Sequence, residues 1–183
     1  MRLFIIGLPG VGKSKFAESL SSTFQMPYID LDHYIEEIVQ MSIADYFNKH
    51  GEQGFRKIEA EALDDVIKKH PAVILSTGGG TPCFGNNMEQ MKANGVCILL
   101  KSSFDIIANQ IIKDGDSRPL FLGLDRVGIA KKLALLWEER RSHYEQTHII
   151  TGVEAVQKSQ LLTNRVELFT KKGKSLIGII EIN

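Results

Sequence analysis

Apolar residues recur along the chain in five short continuous runs, separated by longer segments in which they return every three or four positions. A run that is apolar throughout is typical of a strand covered on both faces of a sheet, and intervening helices make such strands parallel. The pattern therefore predicts a helix-covered α/β layer. The five predicted strands are residues 3–6, 28–29, 72–75, 96–100 and 148–150.

The segments between these runs show helical periodicity, most clearly at residues 128–144. Ile129, Leu133, Leu136 and Trp137 share one helical face there, so Trp137 is expected to fill the core rather than to stack on a ligand. Residues 175–183 resemble an extra strand whose partner the pattern does not name. Helices are expected at residues 13–23, 33–49 in one or two pieces, 54–69, 87–93, 104–113, 128–144 and 154–169.

Composition narrows the class of protein. A chain of 183 residues is long enough for one core, and its 22 basic and 22 acidic residues give no reason to expect nucleic acid or an anionic membrane as partner. Its apolar runs are too short for a signal peptide or a membrane span. Cys83 and Cys97 match no zinc or CxxC spacing, so we expect two buried thiols and a cytoplasmic location, with a disulfide as the alternative.

A glycine-rich segment joins the first predicted strand to the first predicted helix. Its sequence, GLPGVGKS at residues 7–14, satisfies the phosphate-binding pattern GxxxxGK[ST]. Glycines let backbone amides converge on phosphate oxygens, Lys13 can reach the β- and γ-phosphates, and the Ser14 hydroxyl can bind Mg²⁺. A plain connecting turn would explain the glycines but not the Lys-Ser pair. The expected ATP-binding residues are Gly10, Val11, Gly12, Lys13, Ser14 and Lys15.

Two aspartates follow the second predicted strand, at the sheet edge where the phosphate-binding loop lies. Strand alternation would send Asp30 and Asp32 to the same side. One carboxylate there can hold a water of the Mg²⁺ shell, and the other can accept a proton from an attacking hydroxyl. The alternative is that Asp32 caps a helix beginning at His33. The third predicted strand lacks the acidic residue usual in P-loop hydrolases, which favours Asp30 as the metal carboxylate.

Glycines and arginines elsewhere indicate a small acidic ligand. Three consecutive glycines at residues 78–80 exceed what a turn needs, so a ligand is expected to approach this backbone closely. Arg56 lies at the start of one predicted helix, and Arg140 with Arg141 lies near the end of another. Solvent exposure is the ordinary alternative for each, but two converging guanidinium groups would select a carboxylic acid. Arg118 lies in a predicted mobile loop, from which it can neutralise a transferring phosphoryl group.

The segments GLPGVGKS, DLD, GFRKIE, TGGG, DSRPL and EERRSHY resemble those of the shikimate kinase family in order and spacing, up to about Thr151. The resemblance implies an α/β P-loop kinase of the nucleoside-monophosphate-kinase type. Its five-stranded parallel sheet would be covered by helices on both faces and carry a mobile lid. It also implies transfer from ATP, with Mg²⁺, to the 3-hydroxyl of shikimate, in aromatic amino-acid biosynthesis.

The resemblance further implies one domain over residues 1–183 and, by our expectation, a monomer. Within it a substrate-binding helical region would cover about 33–62, the lid about 113–125 and a C-terminal tail 171–183. The implied catalytic residues are Lys13, Asp32 and Arg118. Asp32 would engage the ring hydroxyls as base, Arg56 and Arg140 the carboxylate, Gly78, Gly79 and Gly80 the ring face, Arg118 the nucleotide phosphates, and Ser14 and Asp30 the metal.

Some alternatives stay open. The family commonly has Arg-x-Pro-Leu-Tyr where this chain has RRSHY, so the choice of Arg140 over Arg141 rests on the neighbouring Glu139 and Tyr144. No adenine-binding residue is named, because the segment at 151–156 matches poorly. A gluconate kinase is the nearest rival. A GTP-hydrolysing switch protein is disfavoured because the DxxG and NKxD segments are missing.

Overall fold

The computed structural model describes residues 1–115 and 119–152 and the backbone of residues 180–182. Expected features at residues 116–118 and 153–179, including the helix at 154–169, the central part of the lid and most of the poorly matching segment at 151–156, lie outside the described residues. The elements are β1 (Arg2–Ile6), α1 (Lys13–Phe24), β2 (Tyr28–Asp30), α2 (Leu31–Val39), α3 (Ile43–Lys69), β3 (Val73–Ser76), α4 (Asn87–Asn94), β4 (Val96–Lys101), α5 (Phe104–Lys113), α6 (Arg126–Tyr144), β5 (Ile149–Gly152) and β6 (Ile180–Ile182).

The six described strands belong to one parallel sheet in the order β2-β3-β1-β4-β5-β6. The predicted five-stranded parallel sheet is confirmed. The extra strand expected near the C-terminus is also present, as β6, and it pairs with β5. Because β1 lies between β3 and β4, the loop that follows β1 is placed beside the carboxyl ends of both neighbours.

The central strands are apolar throughout because both of their faces are covered. Side chains of consecutive strand residues point to opposite faces, and yet Leu3, Phe4, Ile5 and Ile6 are all fully buried. The same holds along most of β3 and β4. On α6, Ile129, Leu133 and Leu136 are buried and Trp137 packs partly buried against the core, as its periodicity predicts.

Local side chains fix where several helices begin. Ser42, Ser103 and Asp125 each precede a helix and accept a hydrogen bond from a backbone N–H of its first turn. The α3 helix joins two predicted helices into one, with a kink at Gly51, where φ is 67°. That backbone conformation strongly favours glycine, so Gly51 permits the kink without strain.

The helix α2 begins at Leu31, two residues before the expected start. Its cap is Asp30, so the alternative in which Asp32 caps a helix at His33 is wrong. The expectation that strand alternation orients both aspartates is also wrong, because β2 ends at Asp30 and Asp32 lies in the first helical turn. The physical reason is that the Asp30 carboxylate accepts from two backbone amides and so starts the helix immediately after the strand.

Two further expectations concern burial and membranes. Cys97 is buried as expected, but Cys83 is only partly buried, and no disulfide joins the two. Across the described parts of the chain, none of the helices combines the length and apolar character needed to cross a bilayer.

Candidate active site

The phosphate-binding loop has the conformation that its glycines allow. Gly10 and Gly12 have φ of 79° and 93°, in the left-handed region that side chains disfavour. A Cβ atom at Gly10 would also lie 2.6 Å from the Ile111 side chain, so α5 packs directly against the loop. The first turn of α1 follows at Lys13, so the positive end of the helix dipole adjoins the loop.

The Lys13 side chain is buried within this loop. Its Nζ donates hydrogen bonds to the carbonyl oxygens of Gly7 at 3.1 Å and Leu8 at 3.0 Å. The ammonium is therefore held beside the concave surface, where phosphate oxygens can compete for it. Val11 is buried against the loop and Lys15 is exposed on α1.

The Asp30 carboxylate connects the loop to β2 and α2. Its Oδ2 accepts from the Ser14 hydroxyl at 2.8 Å and from the Tyr28 hydroxyl at 3.2 Å, while its Oδ1 caps α2. Burial raises the pKa of Tyr28 to about 12; the Ser14 hydrogen bond opposes this rise and Asp30 adds to it, so the phenol remains a donor.

The Ser14 hydroxyl and the Asp30 carboxylate fit an Mg²⁺ site. They present hard oxygen atoms beside the place where phosphates bind, and Mg²⁺ usually takes only one or two protein oxygens, the rest being phosphate and water. Among the described residues, no cluster of three or more His, Cys, Asp or Glu could hold a metal ion.

The Asp32 carboxylate lies close to other acidic groups. The Asp32 residue is exposed to solvent, but the many protein atoms around its carboxylate remove part of the water that would otherwise surround the charge. This partial desolvation, followed by the negative charge of Asp30, raises the pKa of Asp32 to about 6, while the Lys13 ammonium acts in the opposite direction. A Cβ atom at Gly78 would lie 3.1 Å from Asp32 Oδ1 and 3.0 Å from Glu59 Oε1, so these carboxylates flank the glycine segment.

The glycine segment at residues 78–80 is packed too closely for side chains. A Cβ atom at Gly79 would lie 2.8 Å from Pro9 Cδ in the phosphate-binding loop, and one at Gly80 would lie 2.9 Å from Arg56 Nη2. The Tyr144 hydroxyl donates to the Gly79 carbonyl at 2.5 Å. These close contacts are all with protein groups, and the expected approach of a ligand to this backbone stays a prediction.

The Arg56 guanidinium is held from several sides. Its Nη1 donates to Oε2 of the buried Glu59 at 2.8 Å, and its Cζ lies 3.9 Å from the ring centroid of Phe84. Glu59 Oε1 in turn accepts from the Thr81 hydroxyl at 2.6 Å. The buried Nε of Arg56 has no hydrogen-bond partner among the described residues. These contacts fix the Arg56 side chain and leave its Nε–H able to donate a further hydrogen bond.

The neighbouring arginines of α6 have different environments. Arg141 is exposed and donates to Glu145 at 2.7 Å, whereas Nη1 of Arg140 is buried without a partner within the described ranges. Burial raises the pKa of Cys83, and the positive charges of Arg140 and Arg56 both oppose that rise. The charges of both guanidinium groups therefore act on Cys83, and Arg140 is the member of the α6 pair that contributes.

Sequence reasoning overlooked several residues of this region. Glu59 stands three positions after Arg56 on a helix, a spacing that could have indicated an ion pair. Tyr144 served in the sequence only to align α6, but its hydroxyl supports the glycine segment. For Tyr28 and Phe84, nothing in the neighbouring sequence indicates their contacts. Arg118 lies outside the described residues.

This parallel sheet, with its phosphate-binding loop beside a carboxylate and converging arginines, defines a P-loop kinase of small molecules, an enzyme that transfers phosphate from ATP to an alcohol group. A family model described as Shikimate kinase matches residues 9–169. The chain belongs to the shikimate kinase family.

Individual relatives agree with this assignment. The shikimate kinase of Azobacteroides pseudotrichonymphae is 31% identical over 163 residues, which cover 89% of this chain and 96% of the relative. The crystal structure of the Bacteroides thetaiotaomicron shikimate kinase superposes with a TM-score of 0.83 at 30% identity, covering 90% of this chain and 98% of that one.

Two further structures separate the shikimate and gluconate alternatives. An Acinetobacter baumannii shikimate kinase in complex with shikimate has a TM-score of 0.76 at 26% identity, covering 90% of this chain and 94% of that one. A Sinorhizobium meliloti gluconokinase has a TM-score of 0.57 at only 12% identity, covering 94% and 97%, which shows a shared fold and nothing more. The comparisons favour the shikimate kinase interpretation over gluconate kinase.

Proposed function

We propose that the protein transfers the γ-phosphate of ATP to the 3-hydroxyl of shikimate, giving 3-phosphoshikimate and ADP on the route to chorismate and the aromatic amino acids. The observation that carries the proposal is the pair of converging guanidinium groups of Arg56 and Arg140, each with a buried N–H that lacks a partner among the described residues. Family membership supports the same substrate.

A carboxylate would satisfy both arginines. Buried N–H donors without partners cost free energy, and a planar carboxylate offers enough lone pairs for two guanidinium groups. Glu59 holds Arg56 in place through a side-chain pair, so little ordering would remain to be done when the acid binds. Gly78 lies near Asp32 and Gly80 near Arg56, and the backbone of residues 78–80 would contact the ring of the bound acid.

Asp32 is the proposed base. With a pKa of about 6 its carboxylate is mostly ionised at neutral pH and can take the proton of the attacking hydroxyl. The substrate oxygen then bonds to the γ-phosphorus, the bond from that phosphorus to the β-phosphate oxygen breaks, and ADP leaves. Turnover is expected to fall as the pH drops below about 6, because the carboxyl is then protonated.

The nucleotide would bind along the loop of residues 7–14. Lys13 would move its donors from backbone carbonyls to the β- and γ-phosphates, and the amides of Gly10 to Lys15 would surround the phosphates. Mg²⁺ held beside Ser14 and Asp30 would neutralise phosphate charge. Arg118 would reach the phosphates from the lid. A cytoplasmic location, a monomeric state and independence from nucleic acid and membranes belong to this proposal as predictions from the sequence.

Release of ADP, measured with a coupled assay, tests the proposal. The protein is supplied with ATP and Mg²⁺ and with shikimate, gluconate or no acid. We expect turnover with shikimate and only background hydrolysis in the other two reactions. Asp32→Asn should abolish the shikimate-dependent rate and leave ATP binding, measured by calorimetry, nearly intact. Equal rates with gluconate would refute the proposed substrate, and a surviving rate in Asp32→Asn would refute the proposed base.

A further inference from the structure

The Asp30 carboxylate accepts four hydrogen bonds from three segments of the chain. Its Oδ1 accepts from the backbone N–H groups of Asp32 at 3.1 Å and His33 at 3.4 Å. Its Oδ2 accepts from the hydroxyls of Ser14 at 2.8 Å and Tyr28 at 3.2 Å. Both oxygens of the Asp30 carboxylate are therefore engaged by hydrogen-bond donors.

These four hydrogen bonds fix the orientation of the Asp30 carboxylate. The two amides of α2 hold Oδ1, and rotation of the group would break that cap, so Oδ2 must stay on the side of the phosphate-binding loop. On that side, Oδ2 needs hydrogen-bond donors that keep it close to the Ser14 hydroxyl. The Tyr28 hydroxyl is the donor that the family motifs do not include.

Tyr28 is well placed for a fixed contact. It begins β2, where its backbone pairs in register with Ile74 of the neighbouring strand, and its side chain is half-buried. Its hydroxyl therefore approaches Asp30 from a rigid part of the sheet, two residues away on the same strand. The contact from Ser14, by contrast, comes from an exposed side chain that a bound metal would also engage.

We propose that Tyr28 is a positioning residue for metal-nucleotide binding: its hydroxyl holds Asp30 Oδ2 in place, so that Ser14 and Asp30 together bind the hydrated Mg²⁺ that accompanies the phosphates. Groups that orient metal-binding side chains commonly affect metal affinity when they are removed. The proposal depends on nucleotide and metal binding and not on the identity of the acid, so its failure would leave the proposed substrate untouched.

The test compares ADP binding with and without the metal. Tyr28→Phe removes the hydroxyl and keeps the ring, and calorimetry gives the Kd for ADP in excess Mg²⁺ and again in EDTA. Loss of one hydrogen bond predicts about five-fold weaker binding in Mg²⁺, with an unchanged Kd in EDTA. The Mg²⁺ concentration for half-maximal turnover should rise by a similar factor.

Tyr34→Phe is the matched control. Its hydroxyl also donates to an aspartate, Asp65 at 2.5 Å, but between α2 and α3 and without contact to Ser14 or Asp30. It should change neither Kd. An unchanged Kd for Mg²⁺ and ADP in Tyr28→Phe would overturn the proposal. An equal loss in EDTA, or a lower melting temperature with normal affinities, would also overturn it, because Tyr28 would then act only through loop structure or stability.

Discussion

Arg140 and Arg141 are adjacent on α6, but their side chains have different surroundings. Arg140 has a buried donor without a partner among the described residues, and Arg141 pairs with Glu145 in solvent. Helical geometry could have separated them from the sequence, because the buried Leu133 and Leu136 lie seven and four positions before Arg140 and so on its face. Periodicity therefore favours Arg140 as the arginine proposed for the acid site.

Substitution of each arginine should therefore have different effects on the acid substrate. Arg140→Ala removes a charge-assisted hydrogen bond to the carboxylate, which predicts a rise of about ten-fold or more in the KM for shikimate. Arg141→Ala loses only an exposed ion pair and should change KM by less than about two-fold. Steady-state kinetics at saturating ATP measures both. A larger effect of Arg141→Ala would transfer the proposed role to that residue.

The raised pKa of Asp32 has a consequence for stability. Its pKa is about 6 in the folded protein against an ordinary 3.8, so ionisation opposes folding increasingly as the pH rises from about 4 to 6, and fully above that. Asp32→Asn should therefore raise the melting temperature at pH 7.5, and the gain should vanish toward pH 4. Thermal unfolding across this range measures it. A gain independent of pH would contradict the shifted pKa.

At the scale of elements, the glycine segment packs between the phosphate-binding loop and α6. Pro9 contacts it from one side, and the Tyr144 hydroxyl binds the Gly79 carbonyl from the other. The phosphate-binding loop thus contacts the backbone of the proposed acid site directly, and a side chain at Gly79 would push the two segments apart.

Gly79→Ala should lower kcat/KM for both substrates. The added Cβ would lie 2.8 Å from Pro9 Cδ, closer than real contacts allow, and such overpacking typically costs about 1–3 kcal/mol. The double variant Pro9→Ala with Gly79→Ala removes the opposing ring atoms and should recover part of the loss. Kinetics of the two single variants and the double variant form the test. Strictly additive losses would show that the two residues do not interact.

The elements themselves were largely predictable, because continuous apolar runs and helical periodicity are local signals. The beginning of α2 was not, since it depends on the Asp30 carboxylate accepting from amides that only exist in place once the helix has formed. Likewise the stacking of Arg56 on Phe84 arises from a contact between α3 and the segment after β3. Contacts of this kind have no signature within a short window.

At the scale of the whole molecule, the sheet ends in a strand that comes from the far C-terminus. Backbone pairing places Ile180 beside Ile149 and Ile182 beside Thr151, so β6 covers the edge of β5. The sequence indicated an extra strand but not its neighbour, because parallel pairing is decided by the three-dimensional packing and not by nearby residues. An uncovered parallel edge is a site for association between chains.

Deletion of residues 180–183 should leave the chemistry intact and reduce solubility. Loss of a few backbone hydrogen bonds predicts a fall of about 1–3 kcal/mol in the free energy of unfolding. The exposed β5 edge should increase aggregation on heating, measured by light scattering. Replacement of the same residues by a serine-rich tail of equal length serves as the control and should behave like the deletion. Unchanged aggregation in both would show that β6 does not protect the edge.

The surroundings of Trp137 make its fluorescence an intrinsic probe of ligand binding. It is the one tryptophan of the chain, its ring lies 4.9 Å from Lys101 Nζ and 5.8 Å from the Tyr144 ring, and it stands one helical turn before Arg140. Indole emission responds to nearby charge. A ligand that engages Arg140, or shifts Tyr144 through the Gly79 carbonyl, is therefore expected to change the fluorescence without any added dye.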